Sequence, residues 1–327
     1  MADKIRWGIL GPGKITIRFM QGMKAVPEAK VHAVASRDLG RAQAFASEYG
    51  AARAYEGYEN LAADPDVDIV YVATPHPFHA EHAMMAMRAG KAVLCEKPLT
   101  VNAAQAKAMI DCARESGVFL MEAMWTRWIP AIERVRQWLA QGAIGETLML
   151  QANFAFRAGW NPEGRLLNLA MAGGGLLDVG IYCVSFASMV FGRQPEKIAS
   201  LAKIGLSGVD EQAGMTFLYP DGQIALLSTG VRLRTPNHAF ILGSEGEIEI
   251  PAGFYNTEKA ILRAGKNVET VQMPHRANGF EYEIMEAHRC LRQGRKETEA
   301  LPLDESLAIM QTMDAIRAQW GLKYPFE

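Results

Sequence analysis

The sequence predicts an α/β chain in two parts. Residues 1–123 read as a doubly wound parallel sheet, and residues 124–327 as an α+β part with a large, open, mostly antiparallel sheet. Three observations predict this. Short apolar runs alternate with amphipathic segments through the first third of the chain, the pattern of strand–helix–strand units. A glycine turn, Gly11-Pro12-Gly13, stands between the first apolar run and the first amphipathic segment. Past Glu146 the pattern becomes longer apolar strands with few helices, and Asp221-Gly222 marks a hairpin between two of them.

Composition narrows the class. With 327 residues and 49% hydrophobic content, the chain can bury a substantial core in one large or two ordinary domains. A net charge of -2 gives no bulk attraction to nucleic acid or to an anionic membrane. The four cysteines, Cys95, Cys112, Cys183 and Cys290, are widely spaced without a C-x-x-C pair. They suit reduced thiols in the cytoplasm better than disulfides or a zinc site. No run approaches the ~18 apolar residues of a membrane helix, and Met1-Ala2-Asp3-Lys4 leads directly into Ile5 without a signal-peptide layout.

The first strand is Ile5–Leu10, and the helix after Gly13 carries Ile15, Phe19 and Met23 on one face. Backbone N–H groups at such a helix start meet a phosphate, and glycine lets it come close. Thr16 replaces the third glycine of the G-x-G-x-x-G pattern, which requires helix and strand to stand slightly further apart. The second strand, 31–36, ends in Ser36-Arg37, with Arg41 one turn on. An NAD-preferring fold carries an acidic residue there for the ribose 2′-hydroxyl. A guanidinium and a hydroxyl suit a 2′-phosphate, so NADP is the expected cofactor, with NAD possible if Arg37 is merely solvated.

The next strand, 69–73, runs into Thr74-Pro75-His76-Pro77-Phe78-His79 and a helix over 79–88. His76, His79 and His82 raise the question of a metal. Only two of them can share a helix face and no convincing third ligand stands near, so no metal is expected. His76 and His79 are expected to line the nucleotide cleft, and His82 to face outward. The strand 91–95 then closes on Glu96-Lys97-Pro98. Charges at the end of an apolar strand sit badly unless they face a cleft. In an open parallel sheet, ligands bind in the cleft outside the carboxyl ends of the strands. Lys97 is therefore an acid/base candidate, or else part of a surface salt bridge. Asn102 and Gln105 form a helix start, Gly117 ends that helix, and residues 118–121 make a further strand.

In the second part Pro130 starts a helix ending at Gly142, and strands are expected over 146–156, 196–204, 213–219, 223–233 and 237–242. Strand 223–233 is apolar on both faces, with Ile224 and Leu226 on one side and Ala225, Leu227 and Val231 on the other. Helices cover one face, and a second copy of the chain is expected on the other, giving a homodimer. One helix interrupts the strands: Gly173-Gly174-Gly175 precedes Asp178 and Tyr182, which stack at i, i+4. The chain closes with a helix from Met313 stopped at Gly321.

Taken in order, these motifs resemble the glucose–fructose oxidoreductase/inositol dehydrogenase (Gfo/Idh/MocA) family. The resemblance rests on Gly11-Pro12-Gly13, Ala73-Thr74-Pro75 with His79, Glu96-Lys97-Pro98 and Glu122 to Arg127. It continues through Gly173 to Gly175 with Asp178 and Tyr182, then Asn278 to Glu283, and the tail. The Trp125-Thr126-Arg127 and Asn278-Gly279-Phe280 segments resemble the branch of dimeric dihydrodiol dehydrogenases and NADP-linked D-xylose 1-dehydrogenases. Tyr182 stands where many inositol-type relatives have His.

The resemblance implies a dinucleotide-binding Rossmann unit, a substrate-binding and dimerising second unit, and a cis Lys97–Pro98 peptide. Around the cofactor it puts Gly11, Gly13, Lys14, Ile15, Ser36, Arg37, Arg41, Thr74, Pro75, His76, His79, Glu96 and Lys97. It implies hydride transfer between the nicotinamide and a CH–OH carbon of a small molecule. Tyr182 is the acid/base candidate, and Lys97 holds the substrate oxygen and lowers the phenol's pKa, though the two roles are exchangeable. Asp178 orients the substrate or the ammonium, and Trp125, Phe154 and Phe280 are pocket candidates. The substrate is a pyranose such as D-xylose oxidised at C1 to a lactone, or a trans-dihydrodiol of an arene. A regulator that binds the nucleotide without chemistry is a third reading.

Overall fold

The computed structural model describes residues 4–327. The chain divides into two compact units. One contains the residues up to Trp125 together with His275–Leu307, and the other Thr126–Pro274 and Ala308–Glu327. The expected break near residue 123 differs from this division in one respect, since residues 275–307 return to the first unit. The amphipathic pattern of that returning segment predicts a helix but does not say which sheet covers its apolar face.

The first unit runs β1 (Ile5–Leu10), α1 (Lys14–Met23), β2 (Ala29–Ser36), α2 (Leu39–Tyr49), β3 (Arg53–Glu56), α3 (Glu59–Ala62), β4 (Ile69–Val72), α4 (His79–Arg88), β5 (Ala92–Glu96), α5 (Ala103–Ser116) and β6 (Leu120–Ala123). Its six strands lie in the order β3-β2-β1-β4-β5-β6, all parallel. Every residue of β4 and β5 is buried, as a sheet covered on both faces requires. The strand order reverses between β1 and β4, so the chain leaves these neighbours in opposite directions and opens a crevice at their carboxyl ends. Asn102 caps α5 by accepting the Gln105 N–H at 2.9 Å, and Gly117 closes it at a φ of 63°.

The second unit contains α6 (Pro130–Ala140), β7 (Thr147–Ala155), α7 (Ile181–Phe191), β8 (Lys197–Ile204), β9 (Asp210–Leu218), β10 (Ile224–Gly230), β11 (Ala239–Gly243), β12 (Gly246–Ile250), β13 (Lys259–Ala264) and β14 (Asn267–Gln272). The eight strands lie in the order β14-β13-β12-β11-β7-β10-β9-β8. Every pairing is antiparallel except that of β7 with β10. Strands β12 to β14 lie beyond those read from the sequence. They are five or six residues long, and charged residues such as Glu247, Glu249, Arg263 and Glu269 dilute their apolar signal. On β9 and β10, Met215, Phe217, Ala225 and Leu227 are buried, while Leu226 is 40% exposed. The alternation is therefore that of a sheet with one covered face.

Two helices follow the last strand. The first, α8 (Phe280–Arg292), lies in the first unit, and the second, α9 (Leu303–Trp320), contains the point where the chain passes from one unit to the other. Phe280 of α8 packs edge-on to Phe19 of α1, and Trp7 of β1 donates its indole N–H to His288 at 3.0 Å. These contacts bind the returning segment to the first sheet.

The segment before α7 differs from a regular helix, because Leu176–Gly180 is a π turn that runs directly into α7. The apolar stretch here is also longer than the sequence reading allowed. Among the described residues Leu169–Phe191 is the helix long and apolar enough to cross a membrane, and 83% of its most apolar window is buried inside the protein.

Candidate active site

At the end of β1 the backbone of Gly11 has a φ of +89°, a conformation open to glycine, and a Cβ there would come within 3.0 Å of the Ala73 carbonyl oxygen beyond β4. Gly13 is the N-cap of α1 and brings no side chain to its first N–H groups, and a Cβ there would meet nothing closer than the Gly11 carbonyl oxygen at 4.0 Å. Lys14 is exposed and Ile15 half-buried. The N–H groups that a helix start leaves without intrahelical partners fit a phosphate. Thr16 is fully buried, and its hydroxyl donates to the Gly11 carbonyl at 2.8 Å. The residue in the third-glycine position therefore ties the turn together.

At the end of β2, Ser36 is buried and its Oγ accepts the Asp38 N–H at 3.2 Å. Asp38 caps α2 through the Arg41 N–H at 3.1 Å. Arg37 and Arg41 are exposed, and the Arg41 guanidinium reaches back to the Pro12 carbonyl at 3.3 Å, which joins it to the glycine turn. Both guanidinium charges also act on the Tyr58 phenol, although burial outweighs them and raises its pKa. Two cations beside a phosphate-accepting helix start fit a dinucleotide with an additional phosphate on its ribose.

After β4 the histidines differ from the expectation. His79 is 1% exposed, with Nδ1 2.9 Å from the Pro98 carbonyl and Nε2 2.7 Å from the Thr74 carbonyl. It fastens the loop after β4 to the loop after β5 and has no ring nitrogen left for a nucleotide. Burial holds its pKa down at about 4, so it is neutral and donates to one carbonyl at a time. His82, expected to face outward, is half-buried and bonds the Thr74 hydroxyl at 3.0 Å, with Tyr58 and Phe78 against its ring. His76 is buried, its ring 5.7 Å from that of His79. Pro75 caps the short turn that contains His76.

The Glu96 carboxylate is also engaged by the protein. It accepts the Tyr71 hydroxyl at 2.5 Å through Oε1 and the Lys97 N–H at 3.1 Å through Oε2. Lys97 is half-buried at the end of β5, and the Lys97–Pro98 peptide is cis. Glu122 of β6 fixes the chain beyond it, accepting the Leu99 N–H at 3.0 Å and the Ser306 hydroxyl at 2.7 Å. Glu283 of α8 is fully buried, and burial together with the nearby Glu96 charge pushes its pKa well above the usual carboxylate range.

One group among the described residues has metal-ligand spacing: His32, Asp64 and Asp66. Arg53 already occupies both carboxylates, at 2.6 Å and 2.9 Å.

In the second unit Asp178 lies within the π turn and Tyr182 one residue into α7. Both are buried to about nine-tenths, at 7% exposure each. Arg165 donates to Asp178 at 2.8 Å, so this carboxylate has a protein cation of its own. The Tyr182 ring meets Phe154 at 5.2 Å and Tyr255 at 5.7 Å between centroids. Phe154 and Tyr255 stack face to face at 4.0 Å with 4° between their planes. The other two pocket candidates belong to the first unit. Trp125 stacks on Phe280 at 4.5 Å, both nearly fully buried, with the Arg18 guanidinium 5.5 Å from each ring.

Sequence reasoning missed Tyr255, Arg165 and Tyr71. The only local signal for Tyr255 was Gly253-Phe254-Tyr255-Asn256, a turn-like glycine before two aromatics.

Residues 5–124 match the model of an oxidoreductase family with an NAD-binding Rossmann fold, and residues 132–249 match the Gfo/Idh/MocA C-terminal domain. The chain is 39% identical to the mouse trans-1,2-dihydrobenzene-1,2-diol dehydrogenase over 98% of both chains, and 38% identical to the human protein of that name. Among solved structures, an aldose–aldose oxidoreductase from Caulobacter crescentus superimposes with a TM-score of 0.89 at 26% identity, covering 97% of this chain and 98% of that one. A 3-ketoreductase from Actinomadura kijaniata, in complex with NADP and TDP-benzene, does so with a TM-score of 0.86 at 28% identity and the same coverage. With similarity along its whole length and both of its domains matched, this chain belongs to the Gfo/Idh/MocA oxidoreductase family.

Proposed function

We propose that this protein is an NADP-dependent dehydrogenase that oxidises a CH–OH carbon of a six-membered ring bearing adjacent hydroxyls. The observation that carries the reading is the open start of α1 at Gly13 with Arg41 bonded beside it. When bound, NADP supplies the hydride acceptor. In this reading the first unit binds the dinucleotide. Gly11, Gly13, Lys14 and Ile15 hold the pyrophosphate through backbone N–H groups, and Ser36, Arg37 and Arg41 hold the 2′-phosphate. Thr74, Pro75 and His76 line the same crevice, while His79 and Glu96 hold its loops in shape. NAD is accepted more weakly.

The second unit binds the substrate. Tyr182 takes the proton of the substrate hydroxyl, and Lys97 holds the oxygen that loses it, or the two exchange roles. Asp178, fixed by Arg165, orients the substrate. Two substrates fit. The named relatives and the Phe154–Tyr255 wall favour a trans-dihydrodiol of an arene, because the planar unsaturated part of such a ring stacks on an aromatic face. The aldose–aldose oxidoreductase neighbour favours a pyranose such as D-xylose oxidised at C1. Trp125 and Phe280 are less suited to touch substrate than to support the loop beyond β6, given their burial.

The outer face of the second sheet exposes Leu201 by 83% and Leu226 by 40%, and a shallow hollow there is lined by Leu201, Gly214, Thr216, Leu226 and Ser228. A second copy of the chain covers this face in our reading, and a monomer by light scattering at working concentration would refute that. The four buried, free cysteines fit a reducing cytoplasm.

The deciding assay follows NADP reduction over a panel of arene dihydrodiols and aldoses, with the Tyr182→Phe variant alongside. Loss of roughly 10²–10⁴-fold in turnover is expected for that variant. Wild-type turnover in it would remove Tyr182 from the mechanism, and no turnover on any substrate would favour a nucleotide-binding regulator.

A further inference from the structure

Asp210 opens β9 and is fully buried. Its Oδ2 accepts the Leu176 N–H at 2.6 Å, at the first residue of the helical run that holds Asp178 and Tyr182. Its Oδ1 has no hydrogen-bond partner. A helix start leaves N–H groups unsatisfied and carries partial positive charge, so a carboxylate is a strong anchor for it. Burying one is nevertheless costly, and an apolar core residue would fill the space without that cost.

The glycines before the helix are shaped to this carboxylate. Gly174 has a φ of +119°, and a Cβ on it would lie 2.0 Å from Asp210 Oδ1. A Cβ on Gly175 would stand 3.3 Å from Oδ2 and 3.1 Å from the Cα of Gly230. Two successive residues thus lack side chains where Asp210 meets the helix. The ionisable groups that act on it are Arg317 and Tyr324. Arg317 is bound to Glu327 and Asp314, both at 2.8 Å, and the Tyr324 hydroxyl donates to the Gly173 carbonyl at 3.4 Å.

We propose that Asp210 is a positioning residue for the acid/base tyrosine: its carboxyl pins the first turn of the helix and thereby the register of the π turn that carries Asp178 and leads into Tyr182, which stands beside Phe154. The proposal rests on the reading of Tyr182 as the proton acceptor. π turns concentrate at functional sites, and one at a helix start keeps its register only if that start is held. Burial raises the pKa of Asp210 to about 7, with the backbone N–H groups opposing. A carboxylate anchors a helix start more strongly than a neutral carboxyl, so the anchor tightens as Asp210 ionises.

The test compares wild type, Asp210→Asn and Tyr182→Phe by NADP-linked kinetics from about pH 5.5 to 9. Asp210→Asn keeps the shape and an acceptor oxygen but cannot ionise. Its kcat should fall about 10-fold with the NADP KM unchanged, within the ~10²-fold cost of misplacing a reacting group, and it should lose an inflection near pH 7 that wild type has. Wild-type kcat and an unchanged pH profile in Asp210→Asn, with Tyr182→Phe inactive, would overturn the proposal alone. Wild-type turnover in Tyr182→Phe would overturn the reading beneath it and the proposal together. If Asp210→Asn does not fold, Gly174→Ala pushes on the same carboxyl from the other side, and a folded Gly174→Ala with wild-type kcat would overturn the proposal.

Discussion

Arg165 donates to Asp178 across 2.8 Å, so the carboxylate expected to meet a substrate or a lysine already has a guanidinium partner from its own unit. The Arg165 side chain is 41% exposed although that of Asp178 is only 9% exposed, and solvent around the guanidinium holds the pair to about 1 kcal/mol of stability or less. Asp178→Asn should therefore leave the melting temperature within a degree or two yet cost about 10–100-fold in kcat, since a misplaced group is expensive in turnover. Steady-state kinetics beside a melting curve check this. Equal losses in both would make Asp178 structural.

On the proposed reading, cofactor preference follows from Arg37 and Arg41. A charge-assisted bond is worth ~1.5–3 kcal/mol, so removing Arg37 should raise the NADP KM roughly 10–100-fold and leave the NAD KM alone. Arg41→Ala should act in the same direction and also loosen the glycine turn through its lost bond to Pro12. A wild type that prefers NAD would contradict the assignment.

Acid stability should depend on His288. Its Nε2 accepts the Trp7 indole proton, so the ring is neutral there, and burial lowers its pKa from 6.5 to about 4. A depressed folded-state value means that the unfolded chain binds the proton first as pH falls. The contribution to stability is present above pH 6.5 and is lost progressively down to about pH 4. His79, lowered to about 4 by burial, acts with the same sign. His288→Gln, which can still accept the Trp7 proton, should flatten the slope of stability against pH in that window. An unchanged slope in urea titrations would show that the histidine contributes nothing to it.

Helix capping gives a calibration away from the site. Asn102→Ala deletes the acceptor of the Gln105 N–H and should cost about 1 kcal/mol in denaturant unfolding without changing kinetics. A kinetic effect would mean that α5 communicates with the Lys97 loop.

The aromatic wall separates the two substrate readings. Tyr255→Leu removes the stack on Phe154 and should weaken binding of an arene dihydrodiol by ~0.5–1.5 kcal/mol, seen as a KM rise of a few-fold. An aldose should be affected less. Equal KM changes for both would favour a shared, non-stacking mode of binding.

Much of this was legible because it is local. Gly11-Pro12-Gly13 after an apolar run, Asn102 with Gln105, and Asp221-Gly222 are turn and cap signals, and each forms where its residues predict. What failed was non-local. His79 read as a cleft residue because a histidine after a strand faces the crevice as readily as the interior. Two carbonyls from different loops decide that it is a buried fastener. The segment 275–307 read as part of the second domain because sequence order was the only guide, whereas Phe19 and Trp7 supply the partners that draw it back to the first sheet. Strands β12 to β14 escaped because a short strand with charges on its outer face has almost no signature until neighbours pair with it.

By itself the sequence determined the two sheet types, the glycine turn after β1, the cations at the end of β2 and the titratable residue types available to a site. These depend on periodicities and turns a few residues long. Only the tertiary structure decided which of the charged groups are already partnered: Glu96 by Tyr71, Asp178 by Arg165, and the helix start by Asp210. A carboxylate's chemistry is set by what stands within ~3 Å of it, and those neighbours come from elements that the linear order keeps apart.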